Sequence, residues 1–236
     1  MAELLSFSTL ILCFLTILIM ARFWGKNGLF AYATVAVIAS NIQVLKLTKY
    51  ALVNDPVALG TVLFSTIFAV DNILTEYYGA KTARKCVWMS FFCYLFFALV
   101  MKIAILHPIV YHSKCLNLHR ELQNLFSPCF TFFISSLVSY IVGQMTDIFV
   151  FSSLKRIMKS EYVSVRSLIS MAISTFVDNC VFSILAWIVF ADNPISLSSL
   201  WNTYIFITYG VRLIIAVLCV PLVRLSGVVM PRKSNV

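Results

Sequence analysis

The chain has 236 residues, of which 61% are hydrophobic and 11% charged, far from the about 25% charged residues of soluble domains. Its mean hydropathy of +0.95 excludes a soluble enzyme or a soluble binding module as the whole molecule. The net charge of +9 would suit nucleic acid only on the basic face of a soluble module; here the cations fall between apolar runs, so nucleic acid is not the expected partner and the lipid bilayer is.

Seven apolar runs follow one another: Leu4 to Ala21, Gly28 to Leu45, Pro56 to Tyr78, Val87 to Leu106, Pro128 to Leu154, Leu168 to Ala191 and Leu200 to Val223. Each is near the about 20 residues that a membrane-crossing helix needs, because lipid offers backbone groups no hydrogen-bond partner. The first run is preceded by Glu3 rather than by a cation, and no A-x-A site closes it, so it reads as an uncleaved helix. The expected fold is all-α, a polytopic membrane protein with a six-helix core plus one N-terminal helix. Residues 1–236 form a single domain, since no linker or low-complexity stretch divides them.

Cations near span ends favour the cytoplasm, and with an outside N-terminus the alternation is clean. The inside segments then hold Arg22, Lys26, Lys81, Arg84, Lys85, Lys155, Arg156, Lys159, Arg166, Arg224, Arg232 and Lys233; the outside ones hold Lys49, Lys114 and Arg120. This predicts the N-terminus out and the C-terminus in.

A charge at the bilayer centre costs about 2.5–3.5 kcal/mol on insertion scales, so each ionisable group inside a run asks for a reason. Asp71 and Glu76 lie in the third run, Gln144 and Asp147 in the fifth, Asp178 in the sixth and Arg212 in the seventh, with Asn41 in the second and Asn72 beside Asp71. Residues three or four apart share a helix face. Ser136, Tyr140, Gln144 and Asp147 make one polar line, Ser174, Thr175, Asp178 and Phe182 another, and Tyr204, Thr208, Tyr209 and Arg212 a third. Such stripes are expected to converge on a polar cavity with aromatic walls, suited to a flat, hydrogen-bonding small-molecule solute. Asp178 and Arg212, near mid-membrane on consecutive helices, are expected to pair. Glu76 and Asp147 are expected near the cytoplasmic end, and a carboxylate left without a cation could serve proton coupling.

The seven cysteines form no CxxC pair and read as small packing residues. All three histidines, His107, His112 and His119, fall in the loop between the fourth and fifth runs. His112, Cys115 and His119 would share a helix face, but an ordinary solvated loop is the expectation, with no metal. The chain lacks a Gly-rich phosphate loop, H-E-x-x-H and G-x-S-x-G, and has no histidine within a run, so neither catalysis nor a cofactor is expected.

Four segments carry a resemblance: Ile38-Ala-Ser-Asn-Ile42; Asn72-Ile-Leu-Thr-Glu-Tyr-Tyr-Gly79 with Lys81 to Lys85; Tyr140-Ile-Val-Gly-Gln-Met-Thr-Asp147 with Phe151, Lys155 and Arg156; and Ser170 through Asp178 to Phe182. With Arg212 in the last run, they resemble the queuosine precursor transporters, also called putative vitamin uptake transporters, from about residue 30 to residue 225. The resemblance usually places Asp four residues before the glutamate, where this chain has Asn72 preceded by Asp71. It implies uptake across a bacterial inner membrane of a 7-deazaguanine base such as queuine, preQ0 or preQ1, for salvage into tRNA. Asn41, Asp71, Asn72, Glu76, Tyr140, Gln144, Asp147, Asp178 and Arg212 are the residues expected to bind it, with Phe68, Tyr140, Phe182 and Tyr209 available to stack on its ring. Two alternatives stay open. One is a substrate-binding component of an energy-coupling-factor vitamin transporter, for which Ala36 and Ser40 offer one small-xxx-small pair; the other is a membrane-embedded enzyme or assembly protein.

Overall fold

A computed structural model describes residues 1–50, 53–108, 113–126, 130–158, 162–191 and 193–230. In chain order these form α1 (Ala2–Gln43), β1 (Leu47–Tyr50), β2 (Val53–Ala58), α2 (Thr61–Tyr77), α3 (Ala80–Leu106), α4 (Ser113–Phe126), α5 (Phe130–Ile157), α6 (Val163–Ile184), α7 (Leu197–Ser199) and α8 (Ile207–Val229). α6 runs on into a π-helical turn over Leu185–Val189, and α8 is preceded by another over Leu200–Phe206.

The first two apolar runs share α1, whose 42 residues would span about 63 Å if straight, twice a hydrocarbon core of about 30 Å. It is not straight. Gly25 leaves the helical region at φ 55, ψ −131, a conformation that costs a residue without Cβ little. Beyond it the chain doubles back: a Cβ on Gly28 would collide with the carbonyl of Met20, eight residues away and about 12 Å distant in an unbroken helix. Ser6, near the start of α1, accordingly meets Tyr50 beyond its end, hydroxyl to hydroxyl at 2.8 Å.

Five helices among the described residues are long and apolar enough to cross a membrane: α1, α3, α5 from Phe133, α6 with its π turn, and α8 with the turn before it. α2 differs. It has 17 residues, and every one from Thr61 to Thr75 except Leu63 and Phe64 is buried, so it is a central helix walled by protein. The large side chains that remain exposed, among them Leu12, Phe23, Phe96, Ile103, Phe149 and Val228, form the apolar exterior that a lipid-embedded bundle presents.

Interhelical contacts sort the helix ends into two groups. Gly25 approaches Tyr78, Tyr77 reaches the carbonyl of Val223, Arg22 that of Val229, and Lys155 and Arg166 meet Glu76. This end carries Arg22, Lys26, Lys81, Arg84, Lys85, Lys155, Arg156 and Arg224. The other holds the Ser6–Tyr50 and Asn41–Ser136 contacts and the antiparallel β1–β2 hairpin.

Several expectations are corrected. The fold is helical as expected, but a short hairpin of β1 and β2 precedes α2, so Pro56, taken as the start of the third run, lies in β2. The loop between α3 and α5 contains the 14-residue α4, whose Phe126 ring packs edge-on against Phe97 at 5.8 Å. His112 lies outside the described residues, as does the side chain of Cys115, while His119 sits on α4. Ala36 and Ser40 are buried at 2% and 3% exposure, and a Cβ on Gly60 would strike the Ser40 carbonyl. That small-residue face is used inside the molecule and offers nothing to a partner.

Candidate functional site

The polar stripes do converge. α5 and α6 pack side by side, α2 lies against both, and α8 closes against α2 and α6. The polar groups enclosed there form three layers along the bundle.

At the hairpin end, Ser136 on α5 donates to Asn41 Oδ1 at 2.6 Å, and Asn41 Nδ2 donates to the Val37 carbonyl at 2.8 Å. Asn41 thus holds α1 against α5. Deeper, Phe64 on α2 packs edge-on against Tyr140 at 6.2 Å and against Phe68 at 5.8 Å. The guanidinium of Arg212 lies over the Phe64 ring, 5.4 Å from its centroid.

The middle layer contains the expected ion pair: Arg212 Nη1 meets Asp178 Oδ2. Gly143 makes room for it, since a Cβ there would come within 2.7 Å of Asp178 Cβ. Asp178 Oδ1 and Arg212 Nε have no hydrogen-bond partner among the described residues. One position along the chain from Gly143, Gln144 is fully buried with neither amide atom partnered. Asp147 lies on the same face of α5, three residues on, also fully buried; Ser174 donates to its Oδ1 at 3.0 Å and its Oδ2 is unpartnered. Asp71 on α2 is buried at 1% exposure with both carboxylate oxygens unpartnered, and it lies close enough to Asp147 and Tyr140 to interact with them electrostatically. Buried polar groups in proteins are overwhelmingly hydrogen-bonded. Most of the unpartnered buried atoms, all but Thr75 Oγ1 and Arg166 Nε, gather in this middle layer between α2, α5, α6 and α8.

The last layer is tied together by ion pairs and hydrogen bonds, with only Thr75 Oγ1 and Arg166 Nε left unpartnered there among the described residues. Asn72 is clamped by α6, donating to Ser167 Oγ at 3.0 Å and accepting from Ser170 Oγ at 3.2 Å. Glu76 pairs with Arg166 Nη2 at 2.9 Å and with Lys155 Nζ at 3.3 Å. Placing Glu76 among cations near one end is therefore correct, but Asp147 is not there; it lies in the middle layer. Arg166, assigned to a loop, is a buried cation of α6 at 1% exposure, its guanidinium 5.5 Å from the Phe151 ring. Arg166 thus joins Arg212 as a cation inside the bundle. Stepping back along the Ser174 stripe by helical turns reaches Ser170, Ser167 and Arg166, a signal the sequence offered. Phe64, absent from the expected aromatic set, is the ring that touches both Tyr140 and Arg212. Tyr209, expected to stack on a ligand, packs instead against Phe176 at 5.3 Å.

Two π-helical turns flank this region, a form that recurs at functional sites. Asn179 Nδ2, beside Asp178, donates to the Ile205 carbonyl in the second of them at 2.8 Å, tying α6 to the turn that leads into α8.

Residues 58–226 match the family described as putative vitamin uptake transporter. The chain is 26% identical over 226 residues to a protein of Bacillus subtilis named probable queuosine precursor transporter, covering 95% of this chain and 94% of that one. A protein of the same name from Haemophilus influenzae is 29% identical over 177 residues, 74% of this chain and 71% of its own length. No solved structure matches the chain.

Proposed function

This chain belongs to the family of putative vitamin uptake transporters, and from that premise we propose that it imports a queuosine precursor, a 7-deazaguanine base, across a bacterial inner membrane. In this reading it crosses the bilayer seven times. Both arms of α1 and the buried α2 each count as a pass, the N-terminus lies outside, and the cation-rich Gly25 end faces the cytoplasm, as the distribution of Lys and Arg favours.

The observation that carries the proposal is the set of unpartnered polar atoms enclosed by α2, α5, α6 and α8: Asp178 Oδ1, Arg212 Nε, both amide atoms of Gln144, Asp147 Oδ2 and both oxygens of Asp71. Leaving a buried polar group unpaired costs about 1–3 kcal/mol, so the cluster is tolerable only if something else satisfies it during the working cycle. A guanine-like edge presents adjacent N–H donors, which a carboxylate oxygen such as Asp178 Oδ1 accepts. Its carbonyl takes a donor such as Arg212 Nε or Gln144 Nε2. Phe64 and Tyr140 supply apolar walls at the same level.

The mechanism assigns the layers different work. Asn72 and the Glu76–Lys155–Arg166 cluster lock α2 to α5 and α6 at one end, while the middle layer receives the solute. Release toward that end requires the ion cluster to part, so the base must contribute interactions that offset it. The test is complementation of bacteria unable to make queuosine and lacking their own importer. Queuosine should reappear in tRNA when queuine or a pre-queuosine base is fed, and no rescue by well-expressed protein would overturn the proposal.

A further inference from the structure

Each interior cation has its carboxylate: Arg212 meets Asp178, and Lys155 and Arg166 share Glu76. Asp71 and Asp147 are left over. Both are at most 1% exposed, neither contacts a cation among the described residues, and they lie on helices that pack together, near enough to interact electrostatically. Between them they present three unpartnered acceptor oxygens. On the same face of α5 the buried Gln144 adds an unpartnered carbonyl oxygen, one turn from Asp147. An alkylammonium group carries one positive charge and three N–H donors. Its three N–H donors suit three of these four acceptors, and its charge balances the pair when the two carboxyl groups share one proton, whereas a neutral substituent would leave that negative charge in a closed interior, where charge is costly without a partner.

We infer that Asp71, Asp147 and Gln144 form a subsite for a cationic amine on the transported base, so that the chain selects 7-aminomethyl-7-deazaguanines over uncharged 7-deazaguanines. This rests on the function proposed above and specifies its substrate class. The guanine edge lies against Asp178 and Arg212, and the aminomethyl arm reaches one helical turn further, toward Asp147 and Asp71. The position of the second carboxylate matters. Asn72, next along the chain, is already engaged with Ser167 and Ser170 on α6, and only Asp71 remains free to face α5.

The experiment is uptake into proteoliposomes of purified full-length protein, comparing labelled 7-aminomethyl-7-deazaguanine with labelled 7-cyano-7-deazaguanine, which lacks the charge. The expected kcat/KM ratio favours the aminomethyl base at least about tenfold, the worth of one charge-assisted hydrogen bond. In Asp71→Asn and in Asp147→Asn, which sit on different helices, the ratio should fall toward one. Equal uptake of the two bases by the unaltered protein overturns the inference and leaves the transport function standing, and that measurement needs no variant to fold. Variants that lose both bases in equal proportion also overturn it, because the pair would then serve the transport cycle rather than recognition. If the folded protein moves neither base, the inference falls, and the transport proposal falls with it only if queuine, assayed alongside, is not moved either.

Discussion

Asp71 and Glu76 lie on one helix, little more than a turn apart, and are served in opposite ways. Glu76 has two cations within 3.3 Å, one on α5 and one on α6. Asp71 has no hydrogen-bond partner among the described residues for either oxygen. The contrast extends to the neighbours: around Glu76, Asn72 is satisfied at both amide atoms, while around Asp71, Gln144 is satisfied at neither. Burial differs between them as well, since Asp71 is enclosed at 1% exposure while Glu76, at 11%, lies at the partly buried end of α2. The difference lies in what the facing helices supply, and in the proposed function it separates a region that holds the bundle together from the one assigned to the solute.

The largest effect should come from breaking the ion-paired end. Glu76→Gln strands Arg166, buried at 1% exposure, and the loss of one partner from a buried ion cluster costs about 3–5 kcal/mol. Unfolding of the detergent-solubilised protein should show this as a much lower midpoint. An unchanged midpoint would mean that the cluster does not hold the helices.

Asp178→Asn attacks the middle layer, where Arg212 loses its counter-charge and the guanine edge its acceptor. Uptake per folded molecule should fall by roughly 100-fold, about 2.7 kcal/mol, with membrane insertion retained. Normal uptake would remove the ion pair from the site.

Gly143→Ala probes the same layer by volume alone. The new methyl would come within 2.7 Å of Asp178 Cβ, and overpacking of this kind costs about 1–3 kcal/mol. Stability and uptake should both decline, since the Asp178 side chain must shift to admit it.

The smallest stability change is expected from Gln144→Leu, within about 1 kcal/mol of the parent, because replacing an unsatisfied buried amide by an apolar group of similar size forfeits no hydrogen bond. Uptake should nonetheless drop at least about tenfold if the amide serves the solute. A stability loss equal to that of Glu76→Gln would erase the distinction between the two regions.

Much of this molecule was legible from residue order, because lipid imposes a strict demand on the backbone. Runs of apolar residues become helices, and an ionisable group inside a run is conspicuous for its cost. The convergence of the stripes through Tyr140, Gln144, Asp147 and Asp178 followed from helical period, and the Asp178–Arg212 pair from charge at matching depth. What periodicity does not carry is the distance between helices that are far apart in sequence. It therefore could not reveal that Arg166 turns inward to Glu76 across 90 residues. Nor could it show that Asn72 is occupied by two serines of α6, or that Phe64 stands beneath Arg212. The hairpin of β1 and β2 and the amphipathic α4 escaped for a related reason, since short segments outside the apolar runs are shaped by what they pack against. Composition and spacing determined that the chain is a helical membrane protein with an interior polar stripe. Only the tertiary packing decided which of those polar groups satisfy one another and which are left without a partner, because that depends on partners supplied by other helices.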